Sequence, residues 1–377
     1  MMFAYLDNSA TTKPCPEAVA AVTGALTEGW GNPSSLYRFG MEAARNLRSA
    51  REQVAKALGA EPDRVFFTSG GTEADNWAVF GTVKRMGKRG KHIITTAVEH
   101  HAILNPMKRL EERGYEVTYL TPDGQGRITL EALRQALRPD TVFVSIMMVN
   151  NETGAVMPID RMVKLVKRMT PDAIFHTDAV QGFLKVPFQA KTLGADLISV
   201  SSHKVHGPKG AGALYIRKGL PLPAYLLGGG QEGAYRSGTE ATPAILGFGA
   251  ACGAALPSLK EDLTRETELR DAVIARAEKL EGVEVLGAHE APHIIALSIP
   301  GVPTQNTINI LQDHGVCVSA GSACAKGHRS HVLEAMRLPP ETMDGAFRVS
   351  LSRFTTEAEI DALLTGLEAV LARMVRK

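Results

Sequence analysis

The stretch that decides the fold is TVFVSIMMV (141–149), which is followed by DRMVKLVKRM (160–169) and AIFHTDA (173–179). The first and third runs are apolar without the alternation of a half-buried strand, and the second repeats its apolar residues at helical spacing. A strand, a helix and another strand in this order are typical of a parallel sheet that helices cover on both faces.

The same alternation continues on both sides of this unit, from about residue 60 to residue 220. The other apolar, β-rich runs are RVFFTS (64–69), KHIITTAVE (91–99), ADLISVSS (195–202) and GALYIR (212–217). Helical stretches follow the first two of them, TEADNWAVFGTVKRM (72–86) and AILNPMKRLEER (102–113). We therefore predict an α/β fold whose large domain has a mostly parallel sheet flanked by helices.

The character of the sequence changes after an uncharged stretch at 241–259. This stretch consists mostly of alanine and glycine and contains two prolines, so we interpret it as a buried helix and not as a membrane span. A long amphipathic helix, several short strands and a closing helix follow, and TEAE (356–359) is a capping-box pattern for the last helix. We predict a large domain at 14–256 and a smaller α+β domain made of 1–13 and 257–377.

The composition is that of a soluble globular protein. The chain has 377 residues, 44% of them hydrophobic and 22% charged, and its 42 basic and 40 acidic residues give a formal net charge of +2. This balance predicts no nucleic-acid partner and no membrane surface. The four cysteines are few for the length and the first residues lack the sections of a signal peptide, so we expect a cytoplasmic protein.

TSGGTEADN (68–76) joins a predicted strand to a predicted helix. Its glycines let backbone amides approach a ligand, and a helix N-terminus favours an anion. The stretch lacks the pattern of a nucleotide P-loop or of a dinucleotide-binding turn. We therefore predict a smaller phosphoester held by Gly71 and Thr72, with an ordinary tight turn as the alternative.

Two more polar residues are predicted to stand at strand ends. Asp178 in HTDAVQG (176–182) follows apolar residues, where a buried carboxylate needs a cation such as a pyridinium nitrogen; a helix cap is the alternative. Lys204 in SSHKVHGPKG (201–210) is either a surface lysine or, near a cationic ring and a phosphate, a Schiff-base lysine. Phosphate turn, aspartate and lysine together indicate a pyridoxal 5'-phosphate site.

Ordered motifs along the whole chain resemble one known family. They are YLDNSATT (5–12), GNPSS (31–35), TSGGTE (68–73), EHHAILNP (99–106), VNNETG (149–154), HTDAVQ (176–181), SSHKVHGPKG (201–210), GGGQEGAYRSGTE (228–240), SAGSAC (319–324) and RVSLSRFTTEAEID (348–361). The chain resembles the NifS-like cysteine desulfurases, which are fold-type I pyridoxal-phosphate enzymes of the class V aminotransferase group. The resemblance implies that fold, pyridoxal 5'-phosphate as the cofactor and no metal.

The resemblance also implies roles for individual residues of the cofactor site. His100 stacks on the pyridine ring, Asp178 binds the ring nitrogen, and Lys204 bonds to the aldehyde. Gln181 and Asn151 reach the ring hydroxyl or the substrate. The phosphate is held by Thr72, Ser201 and His203 of one subunit and by Thr239 of the other, so the resemblance implies a homodimer.

On the substrate side, the resemblance implies that Arg348 binds the carboxylate of L-cysteine with help from Asn32, and Arg353 is a weaker alternative to Arg348. Cys324 takes the substrate sulfur as a persulfide, while His100 and Lys204 move protons. Two other cysteines, Cys252 and Cys317, lie in apolar runs and are predicted to be buried.

The implied function is the conversion of L-cysteine to L-alanine, with the persulfide sulfur delivered to an acceptor such as an iron–sulfur assembly scaffold. AKGHRSHVL (325–333) looks shorter than the serine-rich segment common in the iron–sulfur branch of the family, which leaves the acceptor open. One alternative is another pyridoxal-phosphate reaction on a cysteine-like substrate: selenocysteine cleavage, β-elimination or transamination. The other is a non-catalytic partner in sulfur transfer, against which the complete set of lysine, aspartate, histidine and cysteine argues.

Overall fold

The computed structural model describes residues 3–320 and 329–374, which form a seven-stranded sheet and two smaller sheets. The strands are β1 (Ala4–Tyr5), β2 (Val65–Thr68), β3 (His92–Thr96), β4 (Glu116–Leu120), β5 (Thr141–Ser145), β6 (Ile174–Asp178), β7 (Leu197–Ser201), β8 (Gly212–Ile216), β9 (Glu284–Leu286), β10 (Ile294–Ser298), β11 (Val316–Cys317) and β12 (Ala346–Ser350). The helices are α1 (Pro16–Thr27), α2 (Arg38–Leu58), α3 (Gly71–Met86), α4 (His101–Glu111), α5 (Leu130–Ala136), α6 (Ile159–Met169), α7 (Ala190–Leu193), α8 (Thr242–Ala255), α9 (Leu259–Ala277), α10 (Thr304–Asp313), α11 (His331–Ala335), α12 (Pro340–Asp344) and α13 (Glu357–Met374).

The large sheet has the strand order β2-β8-β7-β6-β5-β3-β4. Five neighbouring strands run parallel to one another: β7, β6, β5, β3 and β4. β8 runs antiparallel to both of its neighbours, β2 and β7. Every residue of β3, β5, β6, β7 and β8 is buried. The prediction of a mostly parallel, fully covered sheet is therefore confirmed.

Helices cover both faces of this sheet. On one face Phe143 of β5 packs with Trp77 of α3 and Ile103 of α4. On the other face its neighbour Val144 belongs to a core that includes residues of α2, α5, α6 and α8, such as Phe248. Because successive strand residues point to opposite faces, both must be apolar, which explains why the strand runs show no alternation.

A second core surrounds the two smaller sheets. β12, β10 and β9 form an antiparallel sheet in that order, and β1 pairs parallel with β11. Their buried residues, including Leu297 and Val349, pack with α9, α10 and α13. The boundaries predicted between the two domains, after residues 13 and 256, stay a prediction.

Two helices agree with their local sequence signals. At the start of α13, Thr356 N–H donates to Glu359 Oε2 (2.8 Å) and Glu359 N–H donates to Thr356 Oγ1 (3.3 Å), which is the predicted capping box. The uncharged stretch forms α8, whose Phe248 and Cys252 are buried in the core. By length and composition alone, the helical run Thr242–Ala277 is apolar enough to cross a membrane, but such a buried core helix passes the same test.

Residues 6–12 connect the small sheets with the large one. Ser9 N–H donates to Ser350 Oγ at the end of β12 (2.8 Å). Thr12 N–H donates to the His203 carbonyl oxygen (2.9 Å) in the turn that follows β7. The segment therefore runs past the carboxyl ends of the large sheet's strands.

Candidate active site

A cavity of about 260 Å³ lies at the carboxyl ends of the parallel strands, where α/β sheets usually bind ligands. It is lined by Ser9, Ala10, Gly71, Thr72, Asp75, His100, Met147, Val149, Asn151, Asp178, Val180, Gln181, Ser201, His203, Lys204 and Arg348. Of the predicted site residues that the structure describes, all are among them except Asn32, Thr239 and Arg353, the alternative to Arg348. Residues far apart in the chain thus meet where β5, β6 and β7 end.

One end of the cavity gathers hydrogen-bond donors. α3 begins at Gly71, so the first N–H groups of the helix have no acceptor within it. A Cβ atom on Gly71 would lie 2.7 Å from Val180 Cγ2, so a larger residue here would have to displace the Val180 side chain in the turn after β6. Ser201 and His203 add side chains, and burial with the nearby Lys204 lowers the pKa of His203 to about 4. These groups suit a phosphate ester.

Asp178 is the last residue of β6 and is buried. Its Oδ1 accepts a hydrogen bond from Val180 N–H (2.9 Å). Burial raises the pKa of Asp178 to about 6, while the Val180 N–H and the charge of Lys204 lower it. A buried carboxyl group poised near neutrality is suited to a cationic partner that enters the cavity.

Two further carboxyl groups are buried near Asp178. Burial and the charge of Asp178 raise the pKa of Asp75 well above its usual range. Burial raises the pKa of Glu99 to about 8, and Glu99 Oε1 accepts hydrogen bonds from Thr96 Oγ1 (2.9 Å) and Met147 N–H (2.8 Å). Of the three carboxyl groups, Asp178 is the one whose ionised form is favoured by the nearby charge of Lys204.

Lys204 ends a short 3-10 turn, Ser202–Lys204, directly after β7. Its Nζ donates hydrogen bonds to the carbonyl oxygens of Ser9 (2.6 Å) and Ala10 (2.8 Å). The turn aims the side chain into the cavity, and the segment 6–12 supplies the acceptors. Lys204 is therefore not a surface lysine.

His100 is the N-cap residue of α4, and its Nδ1 accepts a hydrogen bond from Ala102 N–H (3.1 Å). An accepting Nδ1 carries no proton, so the ring's N–H is at Nε2. Burial and the charge of Lys204 lower the pKa of His100 to about 4. The ring is thus a neutral imidazole whose position is fixed by the helix start, and it lines the cavity.

Arg348 in β12 lines the cavity and is 3% exposed. Its Nη1 donates to the Asn151 carbonyl oxygen (2.7 Å) and its Nη2 to Asp7 Oδ1 (2.9 Å). The buried Nε–H has no partner among the described residues. Arg348 therefore keeps N–H groups for a carboxylate, whereas Arg353 donates to the Ala254 carbonyl oxygen and does not line the cavity.

Some predicted residues lie elsewhere. Asn32 and Thr239 are exposed, and neither lines the cavity of its own chain; Asn32 Oδ1 accepts from Ser34 N–H (2.9 Å). Cys324 lies outside the described residues. The prediction that Cys317 is buried is wrong, because this residue in the two-residue strand β11 is partly exposed, whereas Cys252 is fully buried.

The sequence reasoning missed several residues of the site. Asp75 lies one helical turn after Gly71 in the quoted TSGGTEADN motif, so helical spacing could have revealed it. Ser9 and Ala10 belong to YLDNSATT but act through their carbonyl oxygens, which side-chain identity does not indicate. His293, whose Nε2 lies 3.3 Å from Gln181 Oε1, belongs to no motif.

The chain was compared with families of known proteins. The model of the aminotransferase class-V family matches residues 4–363. A cysteine desulfurase from Trichormus azollae is 43% identical over 379 aligned residues, which cover 99% of this chain and 94% of the relative. The cysteine desulfurase IscS of Dictyoglomus turgidum is 42% identical, covering 98% of this chain and 95% of the relative.

Solved structures resemble the chain over nearly its whole length. A NifS-like protein superimposes with a TM-score of 0.93 and 37% identity, covering 99% of this chain and 100% of the neighbour. A NifS-like protein from Rickettsia africae superimposes with a TM-score of 0.87 and 30% identity, covering 98% and 100%.

Proposed function

The chain belongs to the aminotransferase class-V family and is a cysteine desulfurase of the NifS-like group, and from this premise we propose how its cavity works. The fold class and the enzyme class predicted from the sequence are confirmed by this membership. We propose that the cavity binds pyridoxal 5'-phosphate, that L-cysteine is the substrate, and that Cys324 takes the sulfur.

The residues of the cavity fit this cofactor. The donors at the start of α3, with Thr72, Ser201 and His203, suit the phosphate. Asp178 would bind the ring nitrogen, Gln181 and Asn151 the ring hydroxyl, and His100 the ring face, while Lys204 would hold the aldehyde. When bound, pyridoxal 5'-phosphate supplies a protonated ring that withdraws electrons from the substrate's α-carbon.

The substrate carboxylate is assigned to Arg348. A planar guanidinium binds a carboxylate through two parallel hydrogen bonds, which fixes orientation as well as affinity. The contacts of Arg348 with the Asn151 carbonyl oxygen and Asp7 hold the guanidinium in place before substrate arrives. Asn32 is exposed in the single chain, so its predicted help with substrate would come across a subunit contact.

Proton transfer is assigned to Lys204 and His100. An amine at Lys204 Nζ would take the α-proton of the substrate, and the carbonyl oxygens of Ser9 and Ala10 stabilise the ammonium that results. The Lys204 ammonium can return this proton to the product carbon, and His100, a neutral imidazole at pH 7, can relay a proton there by accepting one at one ring nitrogen as it gives up the one on the other.

Sulfur transfer is assigned to Cys324. Its thiolate attacks the substrate sulfur; the carbon–sulfur bond breaks and a sulfur–sulfur bond forms, which leaves a persulfide on the cysteine. The electron pair of the broken bond stays on carbon, which takes up protons to give L-alanine. The small residues of SAGSAC (319–324) support this role, since small neighbouring side chains leave a thiol accessible.

The partners of the reaction are also part of this proposal. We infer that the persulfide passes its sulfur to a protein acceptor such as an iron–sulfur assembly scaffold in the cytoplasm. We also infer a homodimer, because Trp30, Leu36, Tyr37 and Met41 around the start of α2 are large apolar side chains exposed on a single chain. Neither a nucleic acid nor a membrane is needed.

The observation that carries the proposal is the meeting of Lys204, Asp178, His100 and Arg348 in one cavity. The test supplies the protein with pyridoxal 5'-phosphate, L-cysteine and a reductant, and measures alanine and sulfide. We expect equal amounts of both products. Cys324→Ala should lose both while keeping the cofactor's visible absorbance, and Lys204→Ala should lose activity and that absorbance together.

Cys317→Ser is the matched control, because Cys317 is a partly exposed thiol that does not line the cavity, and it should keep the activity. Undiminished sulfide from Cys324→Ala, or pyruvate in place of alanine, would instead identify an elimination enzyme. Faster turnover of selenocysteine that survives Cys324→Ala would identify a selenocysteine lyase.

A further inference from the structure

We propose that His293 is a positioning residue that fixes the side-chain amide of Gln181 as a hydrogen-bond donor towards the cofactor's ring hydroxyl. The inference rests on the proposed binding of pyridoxal 5'-phosphate. His293 directly precedes β10 in the small sheet, whereas Gln181 follows β6 in the large one. His293 Nε2 lies 3.3 Å from Gln181 Oε1, and both side chains are buried.

The orientation of the Gln181 amide follows from its other neighbour. The amide atom 2.9 Å from the Ser9 carbonyl oxygen must be the NH₂ group, because a carbonyl oxygen can only accept a hydrogen bond. The atom that faces His293 is therefore the amide oxygen. Since this oxygen also only accepts, His293 must carry a proton on Nε2.

The rest of the His293 ring agrees with this assignment. Its Nδ1 is buried and has no partner among the described residues. Burial, together with the charges of Lys185, Arg348 and Lys204, lowers the pKa of His293 well below its usual range. A neutral ring has one N–H, and the Gln181 oxygen holds that proton on Nε2.

The position of His293 is set by the small sheet. Its carbonyl oxygen accepts a hydrogen bond from Leu351 N–H (2.9 Å), which ties its backbone to the residue that follows β12. Gln181 is thereby held between two anchors, His293 from the small sheet and the Ser9 carbonyl oxygen from the segment 6–12. The same Ser9 oxygen accepts from Lys204 Nζ, so the small sheet, Gln181 and Lys204 share one hydrogen-bond network.

Within residues 3–320 and 329–374, this arrangement leaves Gln181 one N–H without an acceptor. The NH₂ group has two hydrogens, and Ser9 uses only one of them. Because Gln181 lines the cavity, the second is available to an oxygen acceptor there. A ring oxygen bound in this way is favoured in its ionised form, since an N–H donor stabilises an anion. Without His293 the amide loses one of its two anchors and its oxygen is left unpaired.

The test measures binding to the apoprotein, by absorbance titration, of pyridoxal 5'-phosphate and of its 3-deoxy analogue, which lacks the ring hydroxyl. We expect His293→Phe to weaken the affinity for pyridoxal 5'-phosphate about tenfold and to leave the affinity for the analogue unchanged. In a Gln181→Ala background, His293→Phe should cause no further loss of affinity for pyridoxal 5'-phosphate. In His293→Gln the new amide can donate a hydrogen bond to Gln181, so this variant should keep most of the parent's affinity for pyridoxal 5'-phosphate. It provides a second test if His293→Phe does not fold.

His314→Phe is the control, because His314 follows α10 and lies away from the cavity; it should bind both compounds like the parent. Equal losses for the two compounds, or the same loss with and without Gln181, would overturn the inference. A parent protein that binds neither compound would overturn the proposed function itself, so the two failures are distinguishable.

Discussion

At the scale of single residues, the electrostatics of the cavity centre on Asp178. Burial raises the pKa of its neighbours Asp75 and Glu99, that of Glu99 to about 8. Asp178 alone has the charge of Lys204 and the Val180 N–H to favour its ionised form. Burial thus raises the pKa of all three carboxyl groups, and Asp178 is the one that is placed to pair with a cationic ring nitrogen.

The raised pKa of Asp178 predicts how cofactor affinity depends on pH. The pKa of Asp178 is raised to about 6 in the free cavity, so the group is ionised above pH 6 and becomes neutral below it. At pH 7.5 the parent should bind pyridoxal 5'-phosphate about 10- to 100-fold more tightly than Asp178→Asn, the usual range for a hydrogen bond to a charged group. At pH 5, where most of Asp178 is neutral, the ratio should be about tenfold lower.

The measurement is an absorbance or fluorescence titration of both apoproteins between pH 5 and pH 8. The cofactor's phosphate also titrates in this range, and taking the ratio of the two proteins removes its effect. A ratio that stays constant over the whole range would contradict the assignment of Asp178 to the ring nitrogen.

Residues of this kind differ in how far a sequence reveals them. Asp178 and Lys204 could be predicted because their charged side chains, at or near the ends of apolar strands, form one combination with the phosphate turn. His293 could not, because its role depends on a contact with Gln181 across 112 residues. The role of Ser9 could not be predicted either, because any residue with that backbone conformation would offer the same carbonyl oxygen.

At the scale of elements, the antiparallel strand β8 shapes the phosphate end of the cavity. Gly212 begins β8 and is paired with Thr68 of β2 and Ser201 of β7. A Cβ atom there would lie 2.7 Å from the carbonyl carbon and Cα of Gly70 and from the Val200 carbonyl oxygen. The turn that presents the start of α3 is therefore pressed directly against β8.

Gly212→Ala is predicted to displace this turn, because backbone atoms cannot move aside as a flexible side chain can. We expect the free energy of unfolding to fall by about 1–3 kcal/mol, the usual cost of overpacking. The affinity for pyridoxal 5'-phosphate should fall as well. Denaturant unfolding and cofactor titration measure the two effects.

The matched control for this change is Gly124→Ala. Gly124 has no atom within 4 Å of an added Cβ, so its replacement should leave both quantities unchanged. Unaltered cofactor affinity in Gly212→Ala would mean that β8 does not support the phosphate site.

The elements themselves were predictable to different degrees. The buried strands β5 and β6 and the helix between them follow from unbroken apolar runs around an amphipathic stretch. The direction of β8 does not follow from the sequence, because an apolar run has the same pattern in both directions. The connection between β7 and β8 contains no full helix, and this short connection permits β8 to run antiparallel to β7. β1 and β11, with two residues each, are too short for any periodicity.

At the scale of the whole molecule, the cavity is predicted to be completed by a second copy of the chain. Thr239 is exposed and lines no part of its own cavity, although it lies in the RSGTE motif that the family resemblance assigns to the phosphate. Leu36 and Trp30 are 93% and 69% exposed, an unusual state for large apolar side chains. A homodimer accounts for both observations.

Hybrid dimers test whether Thr239 acts across the subunits. A dimer that combines a Lys204→Ala chain with a Thr239→Ala chain, purified through two different tags, contains one cavity with both defects. Its other cavity keeps Lys204 from one chain and receives an intact Thr239 from the other. We therefore expect one site per hybrid dimer with the parent's cofactor affinity, and about half of the parent's alanine formation at limiting pyridoxal 5'-phosphate. If Thr239 served its own cavity, every Lys204-containing site of the hybrid would instead show the weaker affinity of the Thr239→Ala homodimer.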